Sequence, residues 1–460
     1  MTLFDEIWDT SPQRRERLTS DFQGKEQEES FHAEKKLLSR YGQYLDEKKE
    51  LAKCVTFQLS KNTPIHRWFQ YTQGFSPQIV EFYLNEWKAK PGEILLDPFV
   101  GCGTSLIVAQ RKGLNSFGWD LSPLAVFLAG VKTAKVDFQR VSLLLEQFRA
   151  FVCSNSNSEF EILVPEKMKV HFQKVFPAPI LNQIACFQHW YKAQEENNEL
   201  RFLLCAAMSS LEEVSYIRKH GSHYRFMNTD NAGVQRKLCF EELNFYESFS
   251  KRVSIQMQDY SAFACTNPSQ LILADARFHK LTEGVHADWV ITSPPYLNRN
   301  NYIAQSKTEM FFASLLNSFD QYRELTSKTL RSHVEAKRPC SKRKPNVLIP
   351  EITETIKKRG ESYRGVADMI EGYFEDMGVV LENLADATKS KSKIAIIVGC
   401  SRWSGVVVPT DLLIANQAES SGYYKISRID VVRYKGNAPQ QMAKWGRYPV
   451  RESVVILDRV

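Results

Sequence analysis

The segment Glu93-Ile94-Leu95-Leu96-Asp97-Pro98-Phe99-Val100-Gly101-Cys102-Gly103-Thr104-Ser105 constrains the fold of this chain more than any other stretch. Ile94 to Leu96 form a short apolar run, as in a parallel strand buried on both faces. Gly101 and Gly103 then permit positive φ and a close approach of backbone to ligand. A helix is expected through Leu106-Ile107-Val108-Ala109, with Thr104 or Ser105 as its cap. A strand, a glycine turn and a helix in succession open a doubly wound α/β sheet, whose ligands sit beyond the carboxyl ends of the strands. The turn lacks the third glycine of the dinucleotide fingerprint, and no Gly-Lys-Ser/Thr follows it as in a phosphate loop.

Two more strands extend this pattern. Ser116-Phe117-Gly118-Trp119-Asp120 ends in an acid 17 residues after Gly103, near the usual place of a ribose-binding carboxylate. Leu271-Ile272-Leu273-Ala274 ends in Asp275. An isolated Asp at a strand end is ordinarily a helix cap; a turn and two acids at three strand ends outline a nucleoside-shaped ligand.

A fourth apolar run, Asp288-Trp289-Val290-Ile291, leads to Ser293-Pro294-Pro295-Tyr296. The prolines stiffen the backbone and remove two N–H donors, leaving carbonyls free to accept. A short hydroxyl before them and an aromatic ring after them suit a planar exocyclic amine, held by two acceptors and stacked on the ring. The bland alternative is a strand entering a Pro-Pro turn with a packing tyrosine.

Taken together, these motifs resemble the S-adenosylmethionine-dependent amino-group DNA methyltransferases, and Thr292-Ser293-Pro294-Pro295-Tyr296 is most similar to members that methylate cytosine N4. His66 to Pro77 is similar to the family's segment over the methionine end of the cofactor, and Lys393 to Gly399 to a later core strand. The resemblance covers roughly residues 60–135 and 270–460. It implies an α/β, doubly wound, mostly parallel sheet of the Rossmann-like methyltransferase kind, with a helical insertion and a basic loop region. Phe99, Gly101, Gly103 and Thr104 would then line the cofactor site, and Asp97 would lie near the cofactor's amino group. Asp120 would take the ribose hydroxyls, Asp275 the adenine amine, and Ser293, Pro294, Pro295 and Tyr296 the target amine. Double-stranded DNA is the implied substrate and a cognate restriction endonuclease a possible partner. Adenine N6 in DNA and a base in RNA remain alternative substrates, and a non-catalytic subunit of a methyltransferase pair is a further reading.

With 460 residues, 43% of them hydrophobic, the chain can bury a large core. Its formal charge of +7 fits a nucleic-acid partner. Nine cysteines without a CxxC pair or a Cys/His metal spacing argue against a metal. They are consistent with a cytoplasmic protein, and no apolar run approaches the ~18 residues of a membrane span.

The expected order of segments is a helical N-terminal arm over 1–60, solvated by its charges; core over 61–135; a mainly helical insertion over 136–265; core with the tetrad over 266–319; a basic variable region over 320–365; and core over 366–460. The insertion ends in a tract from Ser215 to Arg225 that mixes tyrosines with basic groups. Tyr216, Arg218, Lys219, Tyr224 and Arg225 are its candidates for phosphate contact and base stacking, with a solvated loop as the alternative. The basic region contributes Lys342, Arg343 and Lys344 as candidate phosphate contacts. Its Pro339-Cys340 matches the dipeptide used by C5-cytosine methyltransferases, but the Lys/Arg-rich surroundings and the amine-holding tetrad argue against that role. Thr410 or Asp411 is expected to cap a late helix, and the last two strands to form an antiparallel pair at the sheet edge.

Overall fold

The computed structural model describes residues 25–220, 223–226, 243–261, 267, 269–298, 300–336, 348–360, 364–436 and 439–460. Helix α1 (Lys25–Tyr41) leads to a short strand β1 (Leu45–Glu47) and, after several tight turns, to α2 (Pro77–Glu86). The glycine-turn unit follows as β2 (Ile94–Asp97) and α3 (Thr104–Arg111), then β3 (Asn115–Asp120) and α4 (Pro123–Thr133). Next come α5 (Phe138–Ser154), α6 (Glu166–Val175), α7 (Ala178–Lys192) and α8 (Asn198–Ser210), a hairpin of β4 (Ile217–His220) and β5 (His223–Phe226), and α9 (Phe245–Ser261).

The chain then re-enters the sheet through β6 (Ser269–Leu273) and β7 (Ala287–Thr292). Helices α10 (Lys307–Phe312), α11 (Phe319–Lys328), α12 (Leu348–Lys358) and α13 (Val366–Ala387) precede β8 (Thr388–Gly399). The last elements are a small ribbon of β9 (Ser401–Trp403) and β10 (Val406–Val408), α14 (Thr410–Ser420), β11 (Tyr424–Lys435), α15 (Pro439–Trp445) and β12 (Val450–Arg459).

Eight strands form one sheet in the order β1-β11-β12-β8-β7-β2-β3-β6. All neighbours from β8 to β6 run parallel, while β12 is antiparallel to both β8 and β11. This is the doubly wound α/β architecture. From β2 the chain builds outward through β3 to β6, then returns to β7 on the other side of β2. The crevice beyond the carboxyl ends of β2 and β7 is therefore a switch point, where open sheets of this kind bind ligands.

Three expectations need correction. The described part of the N-terminal segment is not a solvated arm. Ala33, Leu37 and Tyr41 recur every four residues on α1 and are buried, which gives a charged helix one apolar stripe. Buried Glu34 pairs with Arg451 on β12 at 2.7 Å, and β1 adds to the sheet beside β11. Consequently β11 and β12 pair as expected but do not form the sheet edge. Side-chain caps are also absent where they were expected. Gly103, at φ +85°, begins α3, and Pro409 begins α14. Ser105 is turned toward Asp97, and Asp411, besides taking the Leu412 N–H of its own first turn at 2.8 Å, accepts from Arg451, Ser453 and Cys400.

The helices from α5 to α9 share one apolar cluster with Leu124, Phe127, Leu128 and Val131 of α4 and with Trp68. Asp259 of α9 fixes the segment before the glycine turn. It accepts from the backbone N–H of Ile65 (3.0 Å), from Arg67 Nε (2.9 Å) and from Trp68 Nε1 (3.1 Å).

Candidate active site

A cavity of about 860 Å3 lies over the carboxyl ends of β2, β3, β6 and β7. Phe99, Gly101, Thr104, Asp120, Asp275 and the whole of Ser293 to Tyr296 line it. Four runs that are far apart in sequence thus meet because parallel strands present their exits on one edge.

The residues around the glycine turn divide into two layers. Gly101 adopts φ +50°, and a Cβ there would stand 3.3 Å from the Tyr71 ring. Gly103 serves helix packing instead: a Cβ would meet the Ala129 backbone of α4 at 2.9 Å, and Gly103 does not line the cavity. Asp97 also lies behind the wall, fully buried. Its carboxylate accepts from Phe99 N–H (3.1 Å), Ser105 Oγ and Thr292 Oγ1 (2.7 Å), joining the glycine turn to the end of β7. The expected place of Asp97 beside the cofactor's amino group is corrected accordingly, because its oxygens face these three donors. Burial pushes its carboxyl up to about 6.

Asp120 reaches the cavity directly. It accepts from the N–H groups of Gly101 (3.0 Å) and Ser122 (2.8 Å), and burial raises its carboxyl to about 6 despite these bonds. If Asp120 takes a ribose diol, the ionised form binds and the protonated form does not. Because the folded-state value lies above the usual carboxylate range, cofactor affinity is expected to fall as pH drops through about 6. Calorimetric titration with S-adenosylmethionine between pH 5 and pH 8 checks this, and Asp120→Asn should flatten the profile.

Asp275 lines the same cavity, but Arg277 holds its carboxylate at both oxygens, with Nε at 2.9 Å and Nη2 at 2.6 Å. Arg277 also donates to Asp376 (3.1 Å), which accepts from Arg331 as well (2.9 Å). This buried chain of alternating charge fixes the wall beyond β6. Next to it His333 lines the cavity, 2% exposed, with Nδ1 unpartnered among the described residues.

The tetrad leaves β7 beside β8. Ser293 Oγ donates to the Ile397 carbonyl at 3.3 Å, and Pro294 is buried. The backbone N–H of Tyr296 donates to Tyr302 Oη (3.3 Å). The Tyr296 ring lies against Gly399, where a Cβ would come within 3.0 Å of it. Lys435 Nζ stands 5.0 Å from the ring centroid, a cation–π distance. Burial raises the Tyr296 hydroxyl well above the usual phenol range, and the negative charge of Glu452 adds to the rise.

The other candidate contacts are placed differently. Tyr216 donates its backbone N–H to Val175. The Arg218 guanidinium collects the carbonyls of Glu212 (2.6 Å), Ser215 (3.0 Å) and Ile217 (2.8 Å), stitching the base of the β4–β5 hairpin. Lys219 pairs with buried Glu309 and lies 5.4 Å from the Phe69 ring centroid, on the cavity wall. Both cations are thus engaged within the protein, contrary to the expectation of phosphate contact. Tyr224 and Arg225 lie on β5 opposite Lys219 and Arg218; the description there covers the backbone only. Lys342, Arg343 and Lys344 lie outside the described residues, as does Pro339-Cys340. Around them the basic region is partly neutralised, since Arg323, Lys328 and Lys357 pair with Asp320, Glu324 and Asp368.

Sequence reasoning missed Tyr302, His333, Arg433, Lys435 and Glu452 among the lining residues. Tyr71 lay within the segment already singled out. The rest stand on late strands and loops without a motif: β12 carries Glu452 beside β8, β11 carries Arg433 and Lys435 beside β12, and Tyr302 and His333 come from loops packed over the strand ends.

No family model matches the chain. Among curated proteins it is 26% identical to the type II methyltransferase M.BsoBI of Geobacillus stearothermophilus, over 88% of either chain. It is 25% identical to the type II methyltransferase M.AvaI of Nostoc sp., again over 88% of each. A shorter match to the type II methyltransferase M.MjaII of Methanocaldococcus jannaschii is 34% identical over 21% of this chain and 18% of that one. Among the described residues no group of three or more His, Cys, Asp or Glu has a metal-holding arrangement, and no helix is long and apolar enough to cross a membrane.

Proposed function

We propose that this chain is a site-specific DNA methyltransferase that transfers a methyl group from S-adenosylmethionine to the N4 amine of cytosine, within a restriction–modification or related DNA-marking system. The observation that carries the reading is the convergence of the Ser293 tetrad, the Gly101 turn and Asp120 on one cavity at the switch point. The similarity to type II methyltransferases over 88% of each chain supports the reaction class. A cognate restriction endonuclease is the partner such a system calls for.

The cavity suits the cofactor. Gly101 leaves the backbone open beside Tyr71, Phe99 supplies an apolar face, and Asp120 offers an acceptor to a ribose diol. S-adenosylmethionine, when bound, supplies an electrophilic sulfonium methyl group. An aromatic amine is a poor nucleophile because its lone pair is delocalised into the ring. Acceptance of its two N–H bonds by Ser293 Oγ and the Pro294 carbonyl draws the nitrogen toward tetrahedral geometry. Much of the rate would come from this positioning and from acceptors aimed at a nitrogen gaining positive charge. The sulfonium would leave as a neutral thioether once the amine takes its methyl group, and one amine proton would pass by way of the acceptors that hold the nitrogen to solvent. The target base must leave the duplex to enter so recessed a site, with Tyr296 as its stacking surface.

Purified protein incubated with mixed-sequence duplex DNA and S-adenosylmethionine is expected to yield N4-methylcytosine on nucleoside mass spectrometry. N6-methyladenine alone would refute the base assignment. Modification of RNA but not DNA would overturn the substrate class.

A further inference from the structure

The amine that the tetrad is proposed to hold is one half of an amidine. In cytosine the ring nitrogen N3 lies next to the N4 amine, so the edge entering the site offers N–H donors and, beside them, a bare acceptor. The tetrad can meet only the first. Pro294 and Pro295 have no N–H, and the Ser293 hydrogen is given to the Ile397 carbonyl. A donor for the ring nitrogen has to come from elsewhere on the wall.

Tyr302 has such a donor. It is half-buried and lines the cavity with Ser293 to Tyr296. Its oxygen accepts from the Tyr296 N–H at 3.3 Å, the first N–H after the two prolines, and from Asn298 Nδ2 at 3.4 Å. Asn298 Oδ1 takes the Asn300 N–H at 3.0 Å, which fixes the amide with its NH2 toward Tyr302. A hydroxyl has two lone pairs and one hydrogen. Two donors occupy the lone pairs, and among the described residues no acceptor takes the hydrogen. One O–H is therefore uncommitted, held against the backbone two residues beyond the Pro294 carbonyl.

We infer that Tyr302 is a specificity-determining residue whose hydroxyl donates to the ring nitrogen beside the target amine, N3 of cytosine. This rests on the amine-holding role proposed for the tetrad. An acceptor at Pro294 and a donor at Tyr302 match the donor–acceptor edge of an amidine base. The same pair opposes thymine or guanine, which place a carbonyl where the amine would be and an N–H where the bare nitrogen would be. Tyr296 then stacks on the face of the base, and Tyr302 reads its edge.

The test uses the full chain and a short duplex around the position found methylated in mixed-sequence DNA, made with cytosine or 3-deazacytosine at that position. The deaza base keeps the amine and replaces N3 by C–H. On cytosine, Tyr302→Phe is expected to lower kcat/KM ~10-fold, with calorimetric S-adenosylmethionine affinity within about twofold of wild type. When 3-deazacytosine replaces cytosine, wild type should lose ~10-fold more than Tyr302→Phe does. Should the mapped base be adenine, 1-deazaadenine takes the same place in the cycle.

An equal loss from Tyr302→Phe on both bases would mark Tyr302 as support for the turn and overturn the inference. An undiminished kcat/KM of Tyr302→Phe on cytosine would do the same. Equal kcat/KM of wild type on the two bases would overturn it without any variant. Wild-type protein that methylates no amine would overturn both the proposed function and this inference. An active wild type with no coupling between residue 302 and the ring nitrogen would overturn the inference alone.

Discussion

Replacing Asp376 by alanine is expected to destabilise the protein by ~3–5 kcal/mol, the usual cost of removing one partner from a buried ion pair. Asp376 is fully buried and accepts from two arginines: Arg277 Nη1 at 3.1 Å, and Arg331 through its backbone N–H at 3.0 Å and Nη2 at 2.9 Å. The substitution leaves two guanidinium groups in a wall that water scarcely reaches, with Arg277 1% and Arg331 13% exposed. Chemical denaturation should show a lower midpoint with an unchanged slope. Glu375→Ala makes the control. That carboxylate pairs with the same Arg331 at 2.9 Å but is 23% exposed, so its loss should cost no more than about 1 kcal/mol. Equal effects from the two substitutions would show that the buried bridge is not what organises this wall. Since Arg277 also holds Asp275 and the Lys328 carbonyl, Asp376→Ala should weaken cofactor binding at temperatures where the chain is still folded.

The second large effect is expected in catalysis with almost none in stability. Ser293→Ala removes one acceptor from the proposed amine site, and loss of one preorganised polar group commonly lowers kcat by ~10²–10³. In the protein Ser293 Oγ donates one long bond of 3.3 Å, to the Ile397 carbonyl. Stability should therefore fall by no more than about 1 kcal/mol. Cofactor affinity should not change, because Ser293 stands at the end of β7 while the glycine turn and Asp120 stand on β2 and β3. Single-turnover kinetics with calorimetry separates these quantities. A variant with full kcat would remove Ser293 from the chemistry, and loss of cofactor binding alone would reassign it to the cofactor.

Local sequence carried the sheet because each of its signals acts over a few residues. An apolar run of three or four residues before a glycine pair, and acids at the ends of two more runs, mark strand exits whatever the rest of the chain does. This made the α/β sheet legible, together with the gathering of Gly101, Asp120 and Ser293 at one edge. The same local reading went astray where a side chain's partner was distant. Ala33, Leu37 and Tyr41 looked incidental among charges until β10, α12 and α14 packed against their helix. Arg218 and Lys219 read as free cations, but the carbonyls at the end of α8 and the carboxylate of Glu309 take them up.

By itself, then, the sequence determined which strands end in functional turns and which chemical groups stand at those ends, since backbone preference and hydrophobic pattern are short-range properties. Only the tertiary structure decided which of those groups face the cavity. Asp97 and Asp120 are both acids closing a buried strand, yet Asp97 turns inward to Phe99, Ser105 and Thr292 while Asp120 remains at the wall. Tertiary structure also brought in Glu452, Arg433 and Lys435, whose strands are laid beside the tetrad by antiparallel pairing across β8. The physical reason is range: hydrogen bonds and charge pairs between groups more than 150 residues apart, such as Thr292 with Asp97 and Arg451 with Glu34, exist only once packing has brought them within a few ångströms.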